Sequence, residues 1–305
     1  MKNVVSLSGG IGNQLFQLAF ARSKAIQSNQ KTIVTSKIHD NSARREILPW
    51  LKNDNPWFVT LNLKSEMKIK NTLGPLKLLR NRKSRFASFR FADESKLILP
   101  HHIENYRQFV YEFLIAREGF YEGTFASSLY WNLEDVDDIF KWIKGEIFSH
   151  LEYPSLPDTF GIAIHARRGD YVSNPKTRNF HGYCGSKYFQ TALEVLSEMG
   201  FAKQGVIISS DDSQFALELK QIAKMYTQRL VIVDSLNPYM AMLQLTNSQS
   251  FIGSNSTFSF WAAYLTSKES RVFPSKWFRN PIAQFESRNL LIDNPLLLEI
   301  PLESK

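Results

Sequence analysis

The sequence has very little cysteine and no long apolar run, and both absences exclude whole classes of protein. Cys184 is the one cysteine among 305 residues, so a disulfide framework and a cysteine-based zinc site within the chain are both excluded. No uncharged apolar stretch reaches the ~18 residues that a membrane-spanning helix needs. The apolar part of the opening MKNVVSLSGG is too short for a signal peptide. We therefore expect a chain that begins at Met1 and works in the cytoplasm.

Several catalytic motifs are missing as well. The chain has no G-x-x-x-x-G-K-[ST] loop, so ATP-type hydrolysis has no support, and neither H-E-x-x-H nor G-x-S-x-G occurs. A D-x-D of the kind that metal-dependent sugar transferases use is present at 135–137. It lies inside an amphipathic helical pattern over 133–148 rather than at a strand end. We interpret it as a solvated acidic first turn of that helix, and we predict no metal site.

Basic residues exceed acidic ones, and the excess is concentrated in one stretch. The chain carries 37 Lys and Arg against 29 Asp and Glu, a formal net charge of +8. Between residues 67 and 92, which we call the basic segment, no residue is acidic and eight are basic: Lys68, Lys70, Lys77, Arg80, Arg82, Lys83, Arg85 and Arg90. A polyanion or an anionic membrane surface is the partner that such a stretch favours, and we predict no nucleic-acid partner. The alternative is a solvated surface segment.

Short apolar runs alternate with helical patterns along most of the chain. NVVSL, a glycine turn, the helical QLFQLAFARSKAIQ and the strand-like KTIVTS predict a βαβ opening. Further strands are predicted at 160–165, 205–210, 230–233, 250–254 and 271–274, with helices between them. PSLPD at 154–158 is the best candidate for a linker. The pattern predicts a doubly wound α/β fold in two domains, 1–155 and 156–305, with ligand in a cleft between them.

The first glycine loop, SGGIGNQ, indicates an anion rather than a dinucleotide. Leu15 stands where the dinucleotide fingerprint requires a third small residue, and the next strand ends without an acidic residue for a ribose. What remains is a backbone that can approach a ligand closely at a helix N-terminus, with Asn13 and Gln14 as donors. The alternative is a tight turn in which Asn13 caps the helix.

The segment GIAIHARRGDY is the richest in chemistry. A predicted strand ends at His165, and Arg167, Arg168 and Asp170 follow at once, where an open α/β sheet binds its ligands. Adjacent arginines cannot face the same way, so we expect one to point inward and the other to pair with Asp170. The inward guanidinium would offer a planar fork to a phosphate. A surface ion-pair turn is the alternative.

Two more strand-to-helix turns carry polar side chains. In SSDDSQ, either Asp211 or Asp212 would accept hydrogen bonds from a base edge or a ribose, although Asp212 is equally well explained as a helix N-cap. In GSNSTFSFW, residues 255–257 lie at a helix N-terminus, which suits a phosphate, with capping alone as the alternative. Arg167 or Arg168, the 255–258 turn and the 9–14 loop would converge on one diphosphate, which would need no metal ion.

Together these blocks resemble glycosyltransferase family 11, the α-1,2-fucosyltransferases, in a bacterial-type soluble form. The matching blocks occur in the family's order: GGIGNQLFQLAFARSKA, IHARRGDYV, HGYC with SKYFQTAL, SSDD, and SNSTFSFWAAYL with VFPSKWF. They run from Gly9 to Phe278 and leave residues 40–115 essentially unmatched. EGTFASSLYW resembles the family's glycine-tyrosine-tryptophan-glutamine-serine stretch in degraded form. Other departures are Ala166 for the usual valine and Phe260 for a tryptophan.

The resemblance implies a B-type glycosyltransferase fold, in which two Rossmann-like domains face a cleft. Domain 1–155 would bind the acceptor and domain 156–305 the GDP-sugar, with the C-terminal tail crossing back. The implied activity is galactoside α-1,2-fucosyltransfer: metal-independent, inverting transfer of L-fucose from GDP-β-L-fucose to the 2-hydroxyl of a galactose-terminated glycan. An oligosaccharide or an O-antigen glycan of lipopolysaccharide would be the acceptor. No cofactor is implied, and the degraded 122–131 stretch leaves the acceptor open.

The resemblance also assigns roles to individual residues. Arg167 would hold the β-phosphate and stabilise the leaving group, with His165 beside the nucleotide. Asp211 or Asp212 would meet guanine. The remaining donor-site residues would be Gly12, Asn13, Asn255, Ser256, Thr257 and Phe258. Asp170 and His181 are our candidates for the base. Alternative functions are transfer of another GDP-sugar or to another hydroxyl, and non-catalytic binding of a nucleotide or glycan.

Overall fold

The structure is a computed structural model, and it falls into two compact units, Met1–Lys141 and Trp142–Lys305. It describes residues 3–36, 47, 50–51, 55–60, 91–93, 119–128, 130–151, 159–233, 237–265, 270–281, 283–284, 290–291 and 295–304. The predicted linker at 154–158 lies outside the described residues, as does the basic segment apart from residues 91 and 92. The predicted division at 155/156 therefore stays a prediction.

Within the described residues, the first unit holds a five-stranded parallel sheet in the order β3-β2-β1-β5-β4. Its elements are β1 (Val4–Leu7), α1 (Ile11–Ser28), β2 (Thr32–Ser36), β3 (Phe58–Thr60), β4 (Phe91–Asp93), β5 (Phe120–Glu122) and α2 (Leu133–Trp142), of which the last residue is counted with the second unit. The predicted βαβ opening is confirmed, because β1 and β2 pair in parallel across α1. All four residues of β1 are buried, as an apolar strand of a covered parallel sheet requires.

Helix α1 begins at Ile11, three residues before the helical segment predicted from Gln14. Gly10 is its N-cap, and Gly12 and Asn13 already lie in its first turn. The alternative in which Asn13 caps the helix was therefore wrong, because the loop consists of residues 8–10 alone. The left-handed backbone of Gly9 (φ +76°) makes the turn, and a Cβ there would lie 2.7 Å from the Asn13 amide nitrogen. Only glycine allows this close approach.

Helix α2 corrects the interpretation of the D-x-D at 135–137. Asp135 is buried rather than solvated, and it forms an ion pair with the buried Arg22 of α1. Asp138 binds the same guanidinium, whereas Asp137 is exposed. Asn132 and Asp135 also exchange backbone-to-side-chain hydrogen bonds of 2.9 Å each, a reciprocal cap that starts the helix. Asp135, the first aspartate of the motif, therefore holds α2 against α1 through Arg22.

The predicted apolar face over 133–148 is correct in part. Val136, Ile139, Ile143 and Ile147 are buried, but Leu133 is 52% exposed. The α-helical geometry also ends at Trp142, where a π-helical turn (143–147) and a 3₁₀ turn (148–150) follow. These wider and tighter turns shift the side chains relative to a regular helix, so a single 3.6-residue period does not describe the whole segment.

Within the described residues, the second unit holds a six-stranded parallel sheet in the order β11-β10-β9-β6-β7-β8. Its strands are β6 (Phe160–Ala166), β7 (Val206–Ser210), β8 (Leu230–Ile232), β9 (Ser248–Gly253), β10 (Ser270–Pro274) and β11 (Leu296–Leu298). Its helices are α3 (Gly169–Ser173), α4 (Pro175–His181), α5 (Ser186–Glu198), α6 (Ser213–Ala223), α7 (Pro238–Thr246) and α8 (Thr257–Tyr264). The predicted βα alternation is confirmed at each strand from β6 to β10.

The periodicity of the sequence did not show α3 and α4, two short helices between β6 and α5. They are too brief for an apolar period to develop, and neither contains a fully buried residue. The C-terminal segment adds strand β11 beside β10 and then a bridge between Glu303 and Tyr183. Among the described residues, no helix combines the length and the apolar character that crossing a bilayer requires.

Candidate active site

Three adjacent strands of the second unit end at the same edge of its sheet. Strand β6 lies between β9 and β7, and His165 of β6 is level with Ser209 of β7 and Gly253 of β9. Because all three strands are parallel, the segments that follow them meet at this edge. These segments are 167–170, 211–212 and 254–258, which together with His165 of β6 carry the predicted donor-site residues in this unit.

Arg167 is anchored at its backbone and braced at its side chain. Its backbone N–H donates to Ser254 Oγ at 3.0 Å, and the Ser254 N–H donates to the carbonyl of His165 at 3.1 Å. Its guanidinium binds Asp170 through Nη2 and Asp211 through Nη1. Burial opposes the charge, but the two aspartates outweigh it and raise the pKa of Arg167. A permanent, oriented cation therefore stands at the end of β6.

Arg168 faces a different way. Its guanidinium lies over the rings of Tyr183 and Phe215, at 4.4 and 4.1 Å from their centroids, and its Nε is 3.9 Å from Asp212. The expectation that the two arginines diverge is confirmed. One of the two pairs with Asp170, as expected, and it is Arg167. Which of them faces the ligand stays a prediction. Arg167, the arginine that the resemblance assigns to phosphate, is itself the partner of Asp170.

His165 is buried and neutral. Its Nδ1 lies 2.6 Å from the hydroxyl of Ser259, and its ring packs against Phe258 with centroids 4.4 Å apart. Burial, reinforced by the charge of Arg167, lowers the pKa of His165 to about 3. Ser259 also accepts the N–H of Ser254 at 3.2 Å, so the histidine and the arginine are tied to one pair of serines. The sequence analysis missed both serines.

The turn before α8 combines a helix cap with an internal anchor. Ser256 is the N-cap, and its hydroxyl accepts the N–H of Phe258 at 3.3 Å. Asn255 is fully buried, and its amide donates to the carbonyls of His181, Gly182 and Trp277 at 3.1–3.3 Å. The side chain of Asn255 is thus used to hold neighbouring loops. Its predicted role at a phosphate remains a prediction.

The two aspartates after β7 do different things. Asp212 caps α6 by accepting the N–H of Phe215 at 3.1 Å, as the N-cap alternative predicted. Asp211 accepts the backbone N–H groups of Arg168 and Gly169 at 2.7 and 3.1 Å, in addition to its bond with Arg167. Both carboxylates are therefore engaged within the protein. Which of them would meet guanine is untested and stays a prediction.

An aromatic cluster stands beside Arg167 and contains His181. The ring of Tyr171 lies 5.5 Å from the Arg167 guanidinium and stacks on His181 at 4.4 Å, and Phe180 and Phe278 complete the cluster. Burial lowers the pKa of His181 to about 4, a shift that the charge of Arg167 reinforces and that of Asp170 opposes. Its Nδ1 has no hydrogen-bond partner among the described residues.

The edge therefore brings together nearly all predicted donor-site residues of the second unit. Gly12 and Asn13 belong to the first unit and are described with it. The arrangement of a braced guanidinium, a neutral histidine and the N-terminus of α8 is suited to an anion, since helix N-termini and arginine forks both favour negative charge. The residues that sequence reasoning missed, Ser254, Ser259 and Tyr171, are ordinary alone and are identified by their contacts.

Comparison with known proteins identifies the fold of the chain and the family to which it belongs. In structure, the chain is similar to the α-1,6-fucosyltransferase NodZ soaked with GDP-fucose (TM-score 0.52, 14% identity, 87% of this chain and 93% of that chain). It is also similar to fucosyltransferase NodZ from Bradyrhizobium (TM-score 0.51, 15% identity, 87% and 94%). At this identity the likeness establishes the fold, which is that of the B-type glycosyltransferases, as predicted.

Sequence comparison identifies the family of glycosyltransferases to which the chain belongs. The family model described as glycosyl transferase family 11 matches residues 3–291, so the chain belongs to that family. An α-1,2-colitosyltransferase of Escherichia coli is 25% identical over 90% of this chain and 92% of its own length. The O-antigen biosynthesis glycosyltransferase WbnK of Escherichia coli is 32% identical over 120 residues, which are 38% of either chain.

Proposed function

We propose that the protein transfers L-fucose from GDP-β-L-fucose to the 2-hydroxyl of a β-galactoside, with inversion at the anomeric carbon and without a metal ion. The observation that carries the proposal is the braced Arg167 at the end of β6, beside the N-terminus of α8 and the neutral His165. Arginine forks and helix N-termini stabilise phosphate charge directly. Membership of family 11 and the similarity to a NodZ fucosyltransferase soaked with GDP-fucose support this donor.

The acceptor is a galactose-terminated glycan, and an O-antigen glycan is the form that the relatives favour. WbnK is named for O-antigen biosynthesis, and the colitosyltransferase is named for an α-1,2 linkage. The same colitosyltransferase supports a second candidate function, transfer of another GDP-sugar such as GDP-colitose by the same site. A protein that binds nucleotide or glycan without turnover is the non-enzymatic alternative.

The chemistry follows from the charges at the strand edge. As the bond between sugar C1 and oxygen breaks, negative charge develops on the β-phosphate, where Arg167 and the N-terminus of α8 would stabilise it. The sugar becomes oxocarbenium-like, so a weak base suffices to take the proton of the acceptor hydroxyl. Of the two predicted bases, Asp170 is bound to Arg167, whereas His181 is neutral near pH 7 with a buried Nδ1 that lacks a described partner.

A donor and acceptor panel tests this function. The protein is incubated with GDP-fucose, GDP-colitose or GDP-mannose and with a set of β-galactosides, each with EDTA and with Mg²⁺, and the linkage of the product is determined. We expect α-1,2-fucosylated galactoside with EDTA present. Strict dependence on Mg²⁺ or Mn²⁺ would contradict the metal-free diphosphate site. Exclusive use of GDP-colitose would establish the second candidate, and GDP binding without product would establish the non-catalytic alternative.

We further propose that the basic segment docks the enzyme on an anionic membrane, where lipid-linked glycans would be presented. The support is its sequence: eight basic residues, no acidic one, and interleaved Leu and Phe side chains. Each basic residue near such a surface contributes ~1 kcal/mol. The protein should sediment with anionic vesicles but not with neutral ones, and less so at 1 M salt, where the Debye length is ~3 Å.

The matched control replaces four of the eight basic residues, Arg80, Arg82, Lys83 and Arg85, with Gln. This variant keeps the apolar side chains and should pellet less with anionic vesicles at low salt. Equal and negligible pelleting of both proteins under every condition would leave the basic segment as solvated surface.

A further inference from the structure

We infer that Asp211 is a positioning residue, which orients the guanidinium of Arg167 toward the leaving phosphate. The inference rests on the proposed function in one respect, that Arg167 meets a β-phosphate. Its structural basis is a set of three contacts. One oxygen of Asp211 accepts the N–H groups of Arg168 and Gly169, and the other accepts Nη1 of Arg167. The carboxylate thus fixes a backbone turn and a side chain at once.

These contacts distinguish Asp211 from an ordinary surface ion pair. The side chains of Arg167 and Asp211 are 30% and 28% exposed, and an isolated pair at such exposure holds its partners only loosely. Here the carboxylate cannot rotate freely, because two backbone N–H groups hold Oδ1 in place. Asp170 holds the second terminal nitrogen of the guanidinium. The guanidinium of Arg167 is thereby held at both terminal nitrogens, so the orientation of its remaining N–H donors is fixed.

Gly169 also contributes to the position of the Asp211 carboxylate. A Cβ on this residue would lie 2.5 Å from Oδ2 of Asp211, closer than any Cβ contact that real proteins tolerate. Gly169 is the first residue of α3, so alanine would suit its backbone as a helix former. The glycine therefore matters through the space that it leaves for the carboxylate. Gly169→Ala should displace the carboxylate without removing its charge.

The same geometry argues against Asp211 as the reader of guanine. A carboxylate that recognises guanine accepts N1–H and N2–H with both of its oxygens. On Asp211, Oδ1 already accepts two hydrogen bonds and Oδ2 faces Arg167, so one acceptor position remains. Positioning and guanine recognition thus make opposite predictions for the same substitution, and nucleotide binding separates them.

The test measures the affinities of GDP, GMP and IDP by calorimetry, together with kcat, for Asp211→Asn and Gly169→Ala. Asparagine still accepts the two backbone N–H groups, but it withdraws the charge from Arg167. We expect the preference for GDP over GMP to fall at least ~3-fold and kcat at least ~10-fold, because a misplaced group stabilises the leaving group poorly. The preference for GDP over IDP, which reports on guanine N2–H, should not change.

The direction of the change excludes a purely electrostatic explanation. Removing a negative charge beside the diphosphate would by itself raise the preference for GDP over GMP, whereas loss of positioning lowers it. Asp212→Asn is the matched charge control, since it removes the neighbouring charge and keeps a residue that caps α6. That variant should not lower the GDP-over-GMP preference. Melting temperatures show that each variant is folded.

Three results would overturn the inference. They are an unchanged or raised GDP-over-GMP preference in the folded variants, a collapse of the GDP-over-IDP preference in Asp211→Asn, and a wild-type protein without any GDP-over-GMP preference. Failure of the proposed function looks different. In that case the wild-type protein forms no fucosylated product, while the nucleotide affinities still decide the role of Asp211.

Discussion

Two arginines in this protein are each held by a pair of aspartates, one in each unit, and they differ in almost everything else. Arg22 projects from the middle of α1 onto Asp135 and Asp138, and its side chain is 5% exposed. Arg167 follows the end of β6, and its side chain is 30% exposed. The first guanidinium is enclosed between helices, and the second has N–H donors left at the edge where a parallel sheet binds ligands.

The comparison separates an ion pair that maintains the fold from one that is available for chemistry. Around Arg22, burial is severe enough to raise the pKa of Asp135 although the arginine opposes the shift. Such a group tolerates its charge only while its partner is present. Around Arg167, both aspartates are partly exposed, so an incoming phosphate can share the cation with them. Position in the fold, more than composition of the cluster, decides which role an arginine has.

The largest effect that we expect is on stability, from Arg22→Ala. The substitution leaves the buried carboxylate of Asp135 without its countercharge, and breaking a buried pair in this way costs ~3–5 kcal/mol. Chemical denaturation should show this loss in the free energy of unfolding. Adding Asp135→Asn to the same chain should recover part of it, since the uncompensated charge is gone. Equal stability of Arg22→Ala and the wild type would show that the cluster around Arg22 contributes little.

Arg167→Ala should show the reverse pattern, a small change in stability and a large change in rate. Loss of a preorganised charge beside the leaving group raises the barrier by ~3–4 kcal/mol, several hundredfold in kcat. Arg167→Lys should recover activity only partly, because an ammonium lacks the bidentate fork. The measurement is steady-state fucosyl transfer alongside thermal melting. Near-normal turnover in a folded Arg167→Ala would move the assignment to Arg168.

The effect that is smallest at neutral pH concerns His165, because it shows only in the pH dependence of stability. Its folded pKa of about 3 lies below the ordinary value of 6.5, so the unfolded chain binds the proton more readily. Stability is therefore complete above pH 6.5 and falls as the pH decreases toward 4, by ~1.4 kcal/mol per unit. In His165→Asn, the plot of the free energy of unfolding against pH should lack this slope between pH 6.5 and 4. Because that variant keeps His181, the difference between the curves isolates His165. Parallel curves would contradict its burial as a neutral group.

Much of the fold could be predicted from local patterns. Apolar runs bounded by glycine and polar turns located β1, β2 and the strands from β6 to β10, because buried parallel strands are short and continuously apolar. The pattern did not locate α3 and α4, in which no residue is fully buried, or the short strands β3, β4, β5 and β11. Elements of so few residues carry no period, and their existence depends on what they pack against.

By itself, the sequence determined which segments of the second unit would meet at the candidate site. Residues after adjacent parallel strands share an edge, so His165, Arg167, Asp211 and the turn before α8 could be grouped from the order of strands and turns alone. Only the tertiary structure decided what each side chain does there. It turned Arg168 onto aromatic rings, bound Arg167 to Asp170 and Asp211, and buried Asp135 of an apparently solvated motif. Direction and burial depend on contacts between residues far apart in the chain, and a local pattern contains no information about them.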